Sequence, residues 1–283
     1  MPVSARRRAA LAVVLAVLAV LAVLAAVLAL RSALEDGTGN GAPDGGAAVA
    51  LPPAHAGFDY QIGGPYPPPP GVAVVTRDHE ASPAPGRYTI CYVNAFQAQP
   101  DREGDWDPDL LLRDRDGEVV VDEDWDEALL DIGTPARRDR VAARVGAWID
   151  DCAEKGFDAV EPDNYDSYER SRGLLTGGDA QAFLSLLAAR AHARGLAVAQ
   201  KNAVELADRR TAAGADFAVT EECGRYGECG AYTAAFGAHV IDIEYSAEGL
   251  RAACADSGGR LSVVRRDLEV SAPGDRGYLR QTC

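Results

Sequence analysis

Lysine is almost missing from this chain. Of 283 residues, 28 are basic, yet only Lys155 and Lys201 are lysines. Histidine is scarce too, with four in all, and there is neither a Cys-x-x-Cys pair nor a His cluster. The usual zinc ligand sets are therefore excluded, and neither metal nor cofactor is expected. No internal repeat is visible, which excludes solenoids and propellers. Positive charge is in deficit, at a formal net of −15. A phosphate backbone would be repelled, so nucleic acid is excluded as a partner. Residues 32–57 lack aromatics and are rich in Gly, Ala and Pro. Such a composition buries no core and reads as a flexible linker.

What the chain does have begins at its N-terminus. Arg6, Arg7 and Arg8 precede an uncharged Ala, Val and Leu run over residues 9–30, closed by Arg31. As a helix that run is ~33 Å long, enough to cross a bilayer. The basic flank places the rest of the chain outside the cytoplasm. Residues 1–31 thus read as a signal anchor that ties the protein to the membrane, or as a cleaved signal peptide. Residues 58–283 suit one α/β barrel domain. Beyond residue 31 the chain carries 24 bases against 43 acids. That excess favours a cationic substrate through electrostatic steering. Nothing in the sequence fixes an oligomeric state, and a monomer is favoured.

Six cysteines in an exported domain favour disulfides. Cys223 and Cys229 are close enough to staple one loop, and Cys254 with Cys283 would tie down the C-terminal end. Cys91 and Cys152 then remain, although sequence alone does not select this connectivity.

Thr134-Pro135 signals an N-cap and first turn, and Val141, Val145, Trp148, Ile149 and Cys152 recur at helical spacing up to Gly156. A second helix is expected over 179–194, with Phe183, Leu186, Leu187 and Ala191 on its apolar side. Apolar strands are expected at 58–62, 72–76, 88–94, 157–161, 196–201, 216–221, 239–245 and 261–265. Several are continuous apolar runs, as parallel strands buried on both faces should be. Eight such strands with interleaved helices predict a (β/α)8 TIM barrel.

Barrel active sites lie at strand C-termini. Here polar residues repeatedly end apolar strands: Asp78, Asn94, Glu161 with Asp163 and Asn164, Lys201 with Asn202, Glu221 with Glu222, Glu244 with Tyr245, and Asp267. A carboxylate-rich mouth suits glycoside hydrolysis, which needs one protonated and one ionised carboxyl. Crowded like charges push pKa values apart and so separate these roles. A lone barrel lysine also raises Schiff-base chemistry at Lys201. Acids around it would keep it protonated, and a structural or substrate-orienting role follows. Trp148 belongs to the core face of its helix, while Trp106 and Trp125 sit in acidic loops as candidate sugar platforms. The acidic stretch 114–126 lacks calcium-loop spacing and reads as a solvated loop.

The segment Lys155-Gly156-Phe157-Asp158-Ala159-Val160-Glu161-Pro162-Asp163-Asn164 resembles the "KGFDGVEPDN" signature of the endo-α-1,4-polygalactosaminidase family of TIM-barrel glycoside hydrolases. Other blocks resemble it in order. Ile90-Cys91-Tyr92 is similar to "ICY", Leu130-Asp131-Ile132 with Thr134-Pro135 to "WLDIRSP", and His192-Ala193-Arg194-Gly195-Leu196 with Lys201-Asn202 to "HARGL…KN". Glu221-Glu222-Cys223 through Cys229 resembles "NEQC…YDEC", and Glu244-Tyr245 resembles "VEY". The resemblance implies hydrolysis of α-1,4-linked galactosamine polymers, which are cationic amino-sugar polysaccharides. It places the catalytic pair on Asp163 and Glu221. Asp78, Asn94, Glu161, Asn164, Lys201, Asn202, Glu222 and Tyr245 would bind substrate or orient the pair. Thr220 and Glu222 depart from the family's Asn and Gln. For that reason a catalytically inactive, surface-tethered carbohydrate-binding barrel stands as the alternative.

Overall fold

The computed structural model describes residues 49–257 and 259–283. The expected N-terminal membrane or signal helix lies outside them. Among the described residues no helix is long and apolar enough to cross a membrane.

Eight parallel strands build one curled sheet of TIM-like form. In chain order they are β1 (Gly57–Gln61), β2 (Val72–Asp78), β3 (Tyr88–Asn94), β7 (Ala159–Asp163), β8 (Ala197–Lys201), β9 (Phe217–Glu221), β10 (Val240–Glu244) and β11 (Ser262–Arg266). β12 (Arg280–Thr282) adds antiparallel to β11. At the seam β1 and β11 lie side by side. Side chains bridge it: Arg266 meets Asp59 at 3.5 Å, and Arg280 donates to the Phe58 carbonyl at 2.8 Å.

Side-chain alternation sorts the strands into an inner and an outer face. Phe58, Tyr60, Ile90, Ala159, Ala199, Phe217, Val219, Ile241, Ile243 and Val264 fill the inside as one apolar cluster. The outer face packs on helices. α1 (Pro135–Lys155) starts on Thr134, whose hydroxyl accepts the Arg137 N–H, and it ends at Gly156 in the left-handed region at φ +89°. It buries Val141, Val145, Ile149 and Cys152. Next come the single turn α2 (Ser167–Arg170) and the long α3 (Gly177–Ala193). α3 begins two residues earlier than its apolar spacing suggests, because Thr176 and Asp179 form a capping box. Leu186, expected on its buried side, is 39% exposed, and Leu184 is buried instead. The remaining helices are α4 (Arg210–Ala213), α5 (Cys223–Tyr226), α6 (Cys229–Phe236) and α7 (Ala247–Ser257).

Two expectations need correction. The fourth parallel strand, β7, is shifted by two residues and runs through Pro162 to Asp163, so that Asn94 pairs with Asp163. Its ladder to β8 covers only Ala159 and Val160, below Pro162, which has no N–H to donate. The acidic stretch after β3 is not simply a solvated loop. Short strands β4 (Gln97–Ala98), β5 (Val121–Asp122) and β6 (Glu127–Leu129) form a separate antiparallel sheet. Leu110, Leu112, Val120, Leu129 and Leu130 anchor it by burial.

Residues 49–56, at the end of the segment read as linker, touch the bottom of the sheet. Tyr88 donates to the Ala50 carbonyl at 2.7 Å, and a His239 ring nitrogen lies 3.0 Å from the Pro52 carbonyl.

The disulfides are Cys91–Cys152, Cys223–Cys229 and Cys254–Cys283. The first staples β3 to α1. Replacing both Cys91 and Cys152 by Ala should lower the unfolding free energy by about 2–4 kcal/mol in urea titration. An unchanged midpoint would show that the bridge adds nothing to stability.

Candidate active site

Three consecutive strands end in the same way. β7 ends on Asp163, β8 on Lys201 and β9 on Glu221, and each is followed at once by a residue in the left-handed region: Asn164 (φ +66°), Asn202 (φ +50°) and Glu222 (φ +59°). Asn tolerates this conformation, whereas Glu does not adopt it without strain. Each reversal leaves the preceding side chain pointing into the mouth of the curled sheet.

The Lys201 ammonium occupies the centre. It lies 2.9 Å from Asp163 Oδ1, 3.1 Å from Glu161 Oε1, 3.2 Å from the Tyr60 hydroxyl and 3.4 Å from Glu221 Oε2. Tyr60 in turn donates to Glu161 at 2.9 Å. Burial works against the charge on Lys201, but Asp163, Glu221, Tyr60 and Glu161 outweigh it and hold the amine protonated well above the ordinary lysine range. A protonated amine is no nucleophile, so Schiff-base chemistry at Lys201 is disfavoured.

The carboxyls around it differ sharply. Burial pushes Asp163 up, yet Lys201 and a 2.7 Å hydrogen bond from Tyr92 more than reverse this, so its carboxyl sits below the usual range and is ionised. Glu161 is wholly buried, and burial with the nearby Asp163 raises it to about 7 despite Lys201 and Tyr60. Glu221 accepts from Tyr245 and, at 3.1 Å, from the Asn202 amide, while the Asn202 side-chain oxygen takes the Glu221 N–H at 2.8 Å. Lys201 also bounds the geometry of the pair. The nearest oxygens of Asp163 and Glu221 can be no farther apart than the sum of their distances to it. That limit, set on one pair of oxygens, admits the ~5–5.5 Å carboxyl separation of retaining glycosidases.

Above this floor lies a cleft of about 330 Å³. Of the residues singled out in the sequence, Asp78, Asp163, Asn164, Asn202, Glu221 and Tyr245 line it. Asn94 stands just behind, donating to Glu127 at 2.8 Å and accepting from Asn164 at 3.0 Å. Glu161 and Lys201 lie beneath the floor rather than on it, at 0% and 1% side-chain exposure. Glu222 is not brought into the cleft, since its carboxylate is held by Arg225 at 2.7 Å. Thr220 likewise faces outward and donates to Asp242 at 2.8 Å. Asp267 accepts N–H bonds from Ser271 and Leu279 and so braces its own loop.

Sequence reading missed Tyr60, Tyr92 and Glu127. The two tyrosines were legible from strand alternation, which aims Tyr60 inward with Phe58. Glu127 comes from β6, at the end of the acidic stretch and just before the apolar run 128–130. Burial raises its carboxyl, as do Asp163 and Asp122, against the Asn94 hydrogen bond. Trp125, half exposed, lines the cleft, whereas Trp106 is buried edge-on to Trp148. Cys223, Cys229 and Asp242 cluster within 4.8 Å, but both sulfurs are consumed in a disulfide and offer no thiolate to a metal.

Two outcomes follow for the floor. Lys201→Met leaves buried carboxylates without their cation and should cost about 3–5 kcal/mol in denaturant unfolding. A loss below about 1 kcal/mol would show that the cluster does not depend on it. Glu161 has a folded pKa of about 7 against an ordinary 4.5, so its contribution to stability is complete below the lower value and is lost as pH rises through the upper one. Across that window the melting temperature of Glu161→Gln should gain on that of the parent. A constant gap would contradict the shift.

The GH114 glycoside-hydrolase profile matches residues 40–283. No curated protein sequence matches the chain. Among solved structures, Aspergillus fumigatus Ega3, in complex with galactosamine, is similar at 23% identity and a TM-score of 0.68, over 84% of this chain and 99% of that one. The glycoside hydrolase domain of PelA from Pseudomonas aeruginosa is similar at 17% identity and a TM-score of 0.53, over 77% of this chain and 96% of that one. With its carboxylates gathered at the strand ends of a curled parallel sheet, the chain belongs to glycoside-hydrolase family GH114.

Proposed function

We propose that this glycoside hydrolase cleaves α-1,4-linked galactosamine-type exopolysaccharide by a retaining mechanism, with Asp163 as nucleophile and Glu221 as general acid/base. One observation carries the reading: Lys201 holds Asp163 and Glu221 within reach of each other at the floor of a carboxylate-lined cleft. Asp163, kept ionised, attacks the anomeric carbon. Glu221 gives its proton to the departing glycosidic oxygen, then takes one from the water that releases the sugar from Asp163. Tyr92, Tyr245 and Asn202 fix the two carboxyls through hydrogen bonds. Glu161 and Lys201 act from beneath by setting charge and position.

The substrate class rests on charge. Asp78, Asp124, Glu127 and Glu269 line the cleft, beside Asp122 and Asp166, which Arg170 binds at 2.6 and 2.9 Å. Such a mouth on an acidic chain concentrates a free-amine sugar polymer and offers each ammonium a carboxylate. Trp125 supplies an exposed ring beside it. The galactosamine in the Ega3 complex agrees with this class. The alternative of an inactive binding barrel loses its support, because Thr220 and Glu222 both point away from the cleft. In full, the reading is a closed (β/α)8 barrel over residues 58–283, carried outside the cytoplasm by residues 1–31 as anchor or signal and joined by the linker 32–57. Three disulfides support export to an oxidising compartment.

Reducing-end release from an α-1,4-galactosamine polymer tests this reading. Turnover is expected, weakening with added salt and on N-acetylation of the polymer. Asp163→Asn and Glu221→Gln should each lower kcat/KM by about 10³-fold or more. Full activity in both carboxamide variants would overturn the assignment.

A further inference from the structure

Directly behind Glu221, on the outer face of the sheet, Asp242 and Glu244 are both fully buried. Asp242 Oδ1 accepts from the Thr220 hydroxyl at 2.8 Å and from the Cys223 N–H at 3.2 Å. Glu244 Oε1 accepts the Gly224 and Arg225 N–H groups at 2.7 and 3.3 Å. Asp242 Oδ2 and Glu244 Oε2 have no donor among the described residues. The two carboxyls are neighbours, each acting on the other's titration.

No cation neutralises them among the described residues. From α5, Arg225 is taken by Glu222. From β11, Arg265 is the cross-strand neighbour of Glu244 but turns to Gln281 at 2.9 Å. From α6, Tyr232 is neutral, its phenol pushed up by burial and by Glu228. On α7, Glu248 and Arg251 are exposed. Glu221, on β9, points to the opposite face of the sheet. Two unpaired buried carboxylates side by side are not tolerated, and a single proton between them satisfies both orphaned oxygens.

We propose that Asp242 and Glu244 share one proton between Oδ2 and Oε2 and act as a positioning pair that clamps the turn carrying Glu221. The role rests on the reading of Glu221 as acid/base. The pair grips the chain on both sides of Glu221: at Thr220 before it, and at Cys223, Gly224 and Arg225 after it. Between these points Glu222 sits at φ +59°, a strained conformation that needs such restraint. Tyr245, next after Glu244, holds the Glu221 carboxyl from the front. Two glycines make the space. A Cβ on Gly249 would fall 1.8 Å from Glu244 Oε2, and one on Gly224 would fall 2.7 Å from Oε1. Burial first, and then the charge of Glu244, holds Asp242 well above the ordinary carboxylate range, which agrees with a retained proton.

The test compares Asp242→Asn, Glu244→Gln, the double variant and Asp242→Ala. An Asn at 242 donates an N–H permanently where the parent holds a proton. In the parent the stability from the raised Asp242 is complete below about 3.9, its unfolded value, and is lost as pH rises toward the folded one. The melting temperature of Asp242→Asn should therefore gain on the parent from pH ~4 upward. A pH-independent difference overturns the shared proton. The double variant should melt below either single one, because two amide NH2 groups would face each other. If it does not, the proposed geometry is wrong. On the polymer, Asp242→Ala should lower kcat about 10- to 100-fold with little change in KM, and Asp242→Asn should restore it. Unchanged kcat in Asp242→Ala, or no rescue by Asn, overturns the positioning role. The melting series needs no substrate, so it judges the proton even if the parent turns over none of the polymer.

Discussion

One ammonium sits where four strands converge, and the floor of the cleft is organised around it. Lys201 meets Tyr60 from β1, Glu161 and Asp163 from β7 and Glu221 from β9. Three carboxyls in so small a volume repel one another, and dehydration makes each more costly as an anion. A single cation of fixed position converts that repulsion into a division of states. Asp163, bonded to both Lys201 and Tyr92, stays charged, while Glu161, deeper and with one oxygen unpartnered, keeps its proton toward neutrality. The near absence of lysine elsewhere in the chain gives Lys201 its weight. Arginine is plentiful, but its planar fork does not reproduce a compact point charge accepted from several directions.

Much of this was legible from residue order. The eight parallel strands and the two long helices follow from apolar runs, caps and glycine stops. The carboxylates at strand ends follow from where such runs break. The motif resemblance then separated Asp163 and Glu221 from the other acids. What could not be read was burial at single-residue resolution. The pleat decides whether Glu161 meets solvent or Lys201, and a two-residue shift of β7 across Pro162 changes which acid stands at the rim. Glu222 looked like an extra carboxylate for the mouth, yet a positive φ turns its side chain to Arg225. Composition misled in the acidic stretch, where sparse apolar residues far apart in sequence fold into a small sheet. Glu127 was hidden for that reason.

Both faces of the sheet handle negative charge, by different means. Inside, a lysine supplies the opposite sign. Outside, Asp242 and Glu244 have no such cation among the described residues and must reduce their own charge. Both solutions converge on β9, which carries Glu221 inward and Thr220 outward. The strained exit of that strand lies between them, with Tyr245 on one side and the carboxyl pair on the other.

The small antiparallel sheet between β3 and α1 is bonded within itself and rests on its own apolar anchors. It reaches the cleft through Asp122, Asp124, Trp125 and Glu127 but contributes nothing to the Lys201 cluster. On the proposed reading, the bond-cleaving groups therefore sit outside this excursion, which adds only to the lining that meets the sugar. If that reading holds, sequence drift in this one excursion would alter which polymers enter while leaving the floor as it is, and relatives with the same floor need not share a diet.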